Sequence, residues 1–298
     1  MPAPTPPHYV RAMTQTDALD AVAFKEAQRT DWRTAAPGWR TWHDVLEAGG
    51  SIVSRTLVEL AAVGSGDTVL DVATGYGEPA LTAARAVGPA GHVVATDIAA
   101  DMLAFGRERA ALAGLANVEF VESDAEALSF DEGSFDAILS RQGLQFLPDV
   151  MGTLNRLHRF LRRDGRLGCA VWGPPSTVQF ALPVPMILQE LHLPAPSSGR
   201  PGIFALADAD RLAQLVADAG FHEVVTGTVT AVYETSTPQA MTRWLRDVAP
   251  PITNLLKGQP TDVQERIWRK VTDAWQPLMT ASGSVRTENQ AILVAARK

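Results

Sequence analysis

Cysteine is nearly absent from this 298-residue chain: Cys169 is the only one. A single thiol excludes an internal disulfide, a thiolate zinc cage and an iron–sulfur site, and no metal centre is expected. Lysine is also scarce, with arginine making up most of the 26 cations; that reflects codon usage and carries no function. A basic surplus is missing, since 33 acidic residues outnumber those cations and the net charge is −7. Proteins that neutralise phosphates show the opposite balance, so nucleic acid is not an expected partner. No apolar run reaches the roughly 18–20 residues that cross a bilayer, so membrane insertion is not expected. The opening MPAPTPPHYV has no basic segment followed by an apolar one and does not read as a secretory signal. A soluble, reduced, cytoplasmic protein is the expectation. Oligomeric state is left open.

What is present is a core-forming composition, 46% hydrophobic and 20% charged, which argues for a globular chain. Residues 1–10 carry four prolines and read as a loose tail. From about 17 to 47 the pattern is helical and aromatic, with Phe24, Trp32, Trp39 and Trp42. Pro37 suits the first turn of a helix running to Leu46. Gly49 and Gly50 would end that helix, and Ser51 would cap the next, whose apolar face is Ile52, Val53, Leu57, Leu60 and Ala61.

A different rhythm begins at Asp67. Strands are expected at 68–72, 92–96, 118–121, 135–139 and 166–172, alternating with helices at 78–87, 101–113 and around 150–161. Such alternation means βαβ units around a parallel sheet. Residues 173–201 hold seven prolines and break the pattern. It resumes with a helix at 208–219, a strand near 224–232 and a last strand at 288–296. A helical insertion at about 238–279 contains Trp244, Trp268 and Trp275. The expected organisation is therefore an N-terminal helical lid segment (1–66), a parallel-sheet core (67–172), and cap insertions with the last strands of the same sheet (173–298). Long insertions beyond strand ends are often lids.

Gly75-Tyr76-Gly77-Glu78-Pro79-Ala80 matches G-x-G-x-x-A. Glycines there let the chain turn tightly from strand to helix and let a ligand approach the main chain. By itself the motif is also met in strand–helix turns that bind nothing. Three carboxylates narrow it. Asp97 closes the second strand, twenty residues past Gly77, where it can accept both ribose hydroxyls. Asp71 lies in the first strand just before the turn, where an anion would repel a diphosphate and suit a cation. Asp124, with Ala125, follows the third strand, where it could take an adenine amine. Each has a plain alternative as a cap or turn residue. Ribose, adenine and positive charge together describe S-adenosylmethionine.

Across Leu70-Asp71-Val72-Ala73-Thr74-Gly75-Tyr76-Gly77, Thr96-Asp97-Ile98, Asp101-Met102-Leu103, Asp124-Ala125-Glu126-Ala127-Leu128, Ser134-Phe135-Asp136-Ala137 and Gly143-Leu144, the chain resembles class I S-adenosylmethionine-dependent methyltransferases, nearest the ubiquinone and menaquinone C-methyltransferase branch. The resemblance covers about a third of the chain. It implies an α/β, Rossmann-like, seven-stranded, mostly parallel sheet with a reversed last strand, and a cofactor across its carboxyl edge. It implies that Ala73, Gly75, Tyr76 and Gly77 line the methionine end, with Asp71 beside them. Asp97 would hold the ribose, Ile98 and Met102 pack the adenine, and Asp124 and Ala125 read its edge. Arg141 falls where relatives have a small residue near the cofactor. Gln142 and Gln145 stand where relatives contact cofactor and acceptor. Where quinone methyltransferases usually have Phe-Gly-Leu-Arg-Asn, this chain has Gln142-Gly143-Leu144-Gln145-Phe146. The Asn/Asp-Pro-Pro-Tyr tetrad of nucleic-acid amino-methylating enzymes is absent, as are the several cysteines of arsenite methyltransferases.

Methyl transfer from a sulfonium is an in-line displacement for which orientation can supply ~7–11 kcal/mol. A base is needed only if the acceptor still holds its proton. His43 is the candidate base, with a helix-flank position as the alternative. Trp39 and Trp42, three apart, are candidates for an aromatic wall over the acceptor, with core packing as the alternative. His192 in the proline-rich insertion is a further candidate contact. The two tryptophans together with the apolar insertion at 178–193 suggest a small-molecule acceptor that is apolar or aromatic. Two other functions fit less of the pattern: a protein that binds the cofactor without transferring methyl, and a nicotinamide-dependent oxidoreductase.

Overall fold

Short runs of Val, Ile, Leu and Ala form strands here because both faces of the sheet are covered, which favours continuous apolar segments over alternation. The computed structural model describes residues 19–195 and 199–298. Its strands are β1 (Thr68–Val72), β2 (His92–Asp97), β3 (Val118–Glu122), β4 (Phe135–Arg141), β5 (Leu161–Trp172), β6 (His222–Thr235) and β7 (Val285–Arg297). They form one seven-stranded sheet in the order β3-β2-β1-β4-β5-β7-β6. β1 to β5 pair in parallel, and β7 is antiparallel to both its neighbours. Because β7 alone is reversed, the carboxyl ends of the other six strands open on one edge. The order reverses between β1 and β4, the switch point at which such sheets bind ligands.

The helices are α1 (Ala21–Thr41), α2 (His43–Leu60), α3 (Ala80–Val87), α4 (Ala100–Leu112), α5 (Val150–Phe160), α6 (Val184–Glu190), α7 (Ala209–Asp218), α8 (Pro238–Val248), α9 (Pro250–Thr253) and α10 (Thr261–Ala274). Side chains alternate across each strand. Val69, Val93, Ala95, Ala137, Leu139 and Ala170 therefore face a core shared with α2, α3, α8 and α10. Leu70, Val72, Ile138, Leu167, Cys169 and Val171 face a second core under α5 and α7. Cys169 is wholly buried.

Some local expectations are corrected. The helix break falls at Trp42, not at Gly49-Gly50, and Ser51 lies inside α2 rather than capping a new helix. The glycines are in mid-helix because of what presses on them. A Cβ at Gly49 would stand 2.5 Å from the Tyr233 ring, and one at Gly50 would stand 2.8 Å from Arg141 Nη1. Pro37 lies within α1 rather than at a helix start, and α3 begins at Ala80 with Pro79 as its cap. β4, β5, β6 and β7 are longer than their apolar stretches suggest, because ladder hydrogen bonds continue through polar residues such as Arg141 and Glu234. The proline-rich tail at 1–10 and His8 lie outside the described residues.

Candidate functional site

The turn after β1 is built from below. Asp71 is completely buried, and its Oδ2 accepts from Thr74 Oγ1 (2.5 Å) and the Ala80 N–H (2.9 Å), tying β1 to the start of α3. Burial pushes its pKa up to about 7, against the pull of those two donors. Its Oδ1 has no partner. Ala73, Gly75 and Gly77 all take left-handed backbone, with φ of 58°, 57° and 98°. Gly77 also lies against Gly106 of α4: a Cβ on it would be 3.3 Å from the Gly106 Cα. This is the close approach for which the third position of the turn needs a glycine.

Asp97 ends β2 beside this turn. Its Oδ2 accepts from the Gly75 N–H (2.8 Å) and its Oδ1 from the Ala99 N–H (2.9 Å). Each oxygen keeps a further acceptor position open for a ligand hydroxyl. Burial raises its pKa to about 6, partly offset by the Ala99 and Gly75 donors. A cavity opens above, lined by Ala73, Thr74, Gly75, Tyr76, Asp97, Ile98, Met102, Asp124 and Ala125, and floored at β4 by Arg141, Gln142 and Gly143. Gln142 is a further left-handed non-glycine residue, φ 54°. A Cβ at Gly143 would meet Ala73 Cβ at 2.5 Å, so the two strand-end turns interlock.

Helix α1 crosses the end of this cavity formed by Asp97, Ile98 and Asp124. Lys25 Nζ contacts Asp124 Oδ2 at 2.6 Å and Glu126 Oε2 at 3.1 Å, and its pKa is raised chiefly by the hydrogen bond to Asp124. Arg29 Nε donates to the Ile98 carbonyl (3.3 Å), and Arg33 pairs with Asp101. Lys25, Gln28, Trp32 and Trp39 line the cavity from α1. Toward β5 and β6 the same cavity continues into an aromatic chamber of Trp172, Phe180, Tyr233 and Trp244. Tyr233 and Trp244 lie 5.1 Å apart by ring centroids, as do Trp172 and Phe180. Arg141 reaches from the end of β4 toward α2. It donates from Nη1 to the Gly50 carbonyl (3.1 Å) and Ser54 Oγ (2.8 Å), and from Nη2 to the Tyr76 hydroxyl (3.0 Å).

Most candidates drawn from the sequence are brought together: Ala73, Gly75, Tyr76, Asp97, Ile98, Met102, Asp124, Ala125, Arg141, Gln142 and Trp39 all line the one cavity. Six do not. Asp71 and Gly77 support the turn from beneath. His43 packs edge-on against Tyr76 and Phe105 with its Nε2 buried and unpartnered, behind the cavity wall. Trp42 faces away and donates from Nε1 to Asp247 Oδ2 (2.8 Å). Residues three apart in a continuous helix share a face, so the split comes from the break: Trp42 caps α1 with φ −100° and ψ 19°, outside helical geometry. Gln145 is buried, and its Oε1 accepts from the Trp172 N–H (3.2 Å). His192 is exposed just beyond α6.

Sequence reasoning missed Lys25, Gln28 and Trp32, although their helical spacing of three and four marks one face of α1. It also missed Trp172, Phe180, Tyr233 and Trp244 as cavity residues. Trp172 could have been found as an aromatic at the very end of a strand. Among the described residues no cluster of His, Cys, Asp or Glu could hold a metal, and no helix is long and apolar enough to cross a membrane.

Comparison with known proteins gives this cavity its context. Residues 69–165 match the methyltransferase domain family. Over 147 residues the chain is 38% identical to the ubiquinone/menaquinone biosynthesis C-methyltransferase UbiE of Pseudomonas putida, covering 49% of this chain and 57% of that protein. Over 122 residues it is 36% identical to the demethylmenaquinone methyltransferase of Listeria monocytogenes, covering 41% of this chain and 52% of that one. The match thus spans little more than half of either relative. Among solved structures, phosphoethanolamine N-methyltransferase 2 of Haemonchus contortus, in complex with S-adenosyl-L-methionine, superposes with a TM-score of 0.51 at 18% identity. That covers 83% of this chain and 52% of the other, and shows a shared fold.

Proposed function

Starting from residues 69–165 as a methyltransferase domain of the class I kind, we propose that this chain transfers a methyl group from S-adenosylmethionine to a small apolar or aromatic acceptor. One observation carries the reading: a single cavity joins a turn-and-carboxylate cradle at the strand switch point to an aromatic chamber beneath α1 and α8.

The residues fit the donor. Asp97 has acceptor positions left for two ribose hydroxyls, while Ile98, Met102 and Ala125 offer apolar surface for a purine. The Asp124 carboxylate stands at the purine edge, shared with Lys25. Ala73, Gly75 and Tyr76 leave room at the methionine end. S-adenosylmethionine supplies a methyl group already activated on a sulfonium. The chain's own task is therefore to orient two partners and keep water out, which accounts for the enclosing aromatics. Helices α1 and α2 and the insertions after 172 act as lids over the core, and Trp39 belongs to the acceptor wall. The reduced lone thiol fits a cytoplasmic setting.

Titration calorimetry with S-adenosylmethionine and with a nicotinamide dinucleotide tests the cradle: heat is expected with the first and none with the second. Mass analysis after incubation with an isotope-labelled methyl donor and candidate acceptors tests transfer. Donor binding without label in any acceptor would leave a cofactor-binding protein and remove the transferase reading.

A further inference from the structure

Arg141 is a half-buried cation with no carboxylate paired to it among the described residues. The neighbouring acids are committed elsewhere. Glu78 accepts from Thr82 and pairs with Arg109, while Asp71 braces the β1 turn through Oδ2 and keeps its unpartnered Oδ1 beneath the turn, outside the cavity lining. Of the five guanidinium N–H donors, three are used, on Gly50, Ser54 and Tyr76. Among the described residues the Nε–H and one Nη2 hydrogen have no acceptor, and the side chain lines the cavity. Burying such a charge unpaired is costly unless a ligand completes it.

The polar groups around it are of one kind. Tyr233 lines the chamber, and its hydroxyl makes no hydrogen bond among the described residues. Trp244 Nε1 and Gln142 Nε2 are buried donors without acceptors. The Tyr76 hydroxyl accepts from Arg141 and so has its own proton to give. Gly49 and Gly50 set this arrangement, since any side chain there would collide with Tyr233 or Arg141. The cavity's acids sit apart from the chamber: Asp97 and Asp124 at the nucleoside end, Glu78 in its pair. No free carboxylate or imidazole lines it, and His43 lies behind Tyr76.

From this set of donors without a base we infer that the acceptor is a flat aromatic or enolic hydroxyl compound, bound as its oxyanion by Arg141 and Tyr233 and methylated on that oxygen. The inference rests on the methyl-transfer reading and deepens it. The atoms balance without a proton acceptor. An oxygen lone pair forms the new C–O bond as the C–S bond breaks, and the electron pair stays on sulfur. The anion and the sulfonium become a neutral ether and a neutral thioether. Attack by a ring carbon or a neutral amine nitrogen would leave a proton to be removed, and the chamber holds nothing to remove it.

Two measurements test this. First, a nitrophenol, whose absorbance reports ionisation, is bound to the protein alone. Its apparent pKa is expected to fall by roughly one unit or more on the wild type and return toward the free value in Arg141→Gln, since a buried opposite charge favours the ionised form. A rise, no shift, or no binding at millimolar dye overturns the proposal. Second, a naphthol and the matching naphthylamine are compared as acceptors with labelled donor. Label is expected on the naphthol oxygen only. Arg141→Gln should lower kcat/KM roughly 100-fold, and Tyr233→Phe, which removes one hydroxyl and disturbs packing least, roughly tenfold. Label on nitrogen or carbon, or a Tyr233→Phe enzyme with unchanged kinetics and pH profile, overturns it. So does an Arg141→Gln protein that loses donor affinity but keeps acceptor affinity, because the cation would then serve the donor's own carboxylate. Dye bound as anion with no acceptor ever labelled would instead sink the methyl-transfer reading and leave the oxyanion site standing.

Discussion

Asp97 carries two loads at once. Its oxygens hold the Gly75 and Ala99 amides, and the same oxygens face the cavity. Burial lifts its pKa to about 6, so below that pH the free protein protonates a group that ribose binding needs ionised. Calorimetric affinity for S-adenosylmethionine is therefore expected to weaken as pH falls from 7 to 5, approaching tenfold per unit below the pKa. In Asp97→Asn the affinity should be weaker at pH 7 by about 1–3 kcal/mol, the scale of an impaired buried hydrogen bond, and flat over the same range. A pH-independent wild type would place the ribose elsewhere.

Helix α1 is the element that converts an open cleft into a cavity. It is fastened at both ends of the site. Lys25 and Arg29 hold the nucleoside side, and Trp39 Nε1 donates to the Val248 carbonyl (3.0 Å) at the end of α8. Midway, buried Asp31 accepts from Asn254 Nδ2 (2.6 Å), and burial raises its pKa despite that bond and the nearby Lys257. A helix held by a few polar contacts over a ligand cleft belongs to the low-stability end of a protein's opening spectrum. Amide exchange across residues 21–41 should slow on adding S-adenosylmethionine. Asn254→Ala should speed that exchange in the free protein and cost about 1–3 kcal/mol of stability by leaving a buried carboxylate short of a donor.

For the molecule as a whole, two buried carboxylates at the switch point set a pH dependence of folding. Asp71 and Asp97 both have folded-state pKa values raised above those of an unfolded chain. The native state thus holds more protons than the unfolded state between about pH 4 and 7, and stability falls as pH rises through that window. Thermal melts of the ligand-free protein should show this decline, and Asp71→Asn should flatten it while keeping an oxygen for Thr74 and Ala80. A decline of equal slope in the variant would assign it to other groups.

The strand–turn–helix rhythm and the turn and strand-end residues that line the cavity were legible in the chain itself, because they rest on local rules: apolar runs of strand length, glycines where φ is positive, carboxylates at strand ends. Those signals need only near neighbours in sequence. The seven-stranded sheet with its reversed strand came from the family resemblance. The aromatic chamber was not legible, since it joins Arg141, Trp172, Tyr233 and Trp244 from three strand ends and a distant helix. The same holds for Gly49 and Gly50, which read locally as a helix end but exist to admit side chains from 90 and 180 residues away. Which candidate faces the cavity was likewise decided by packing. Trp39 turns in and Trp42 out, and His43 is walled off by Tyr76, because a helix break and a sheet edge, neither visible in a residue's own spacing, fix where each side chain points.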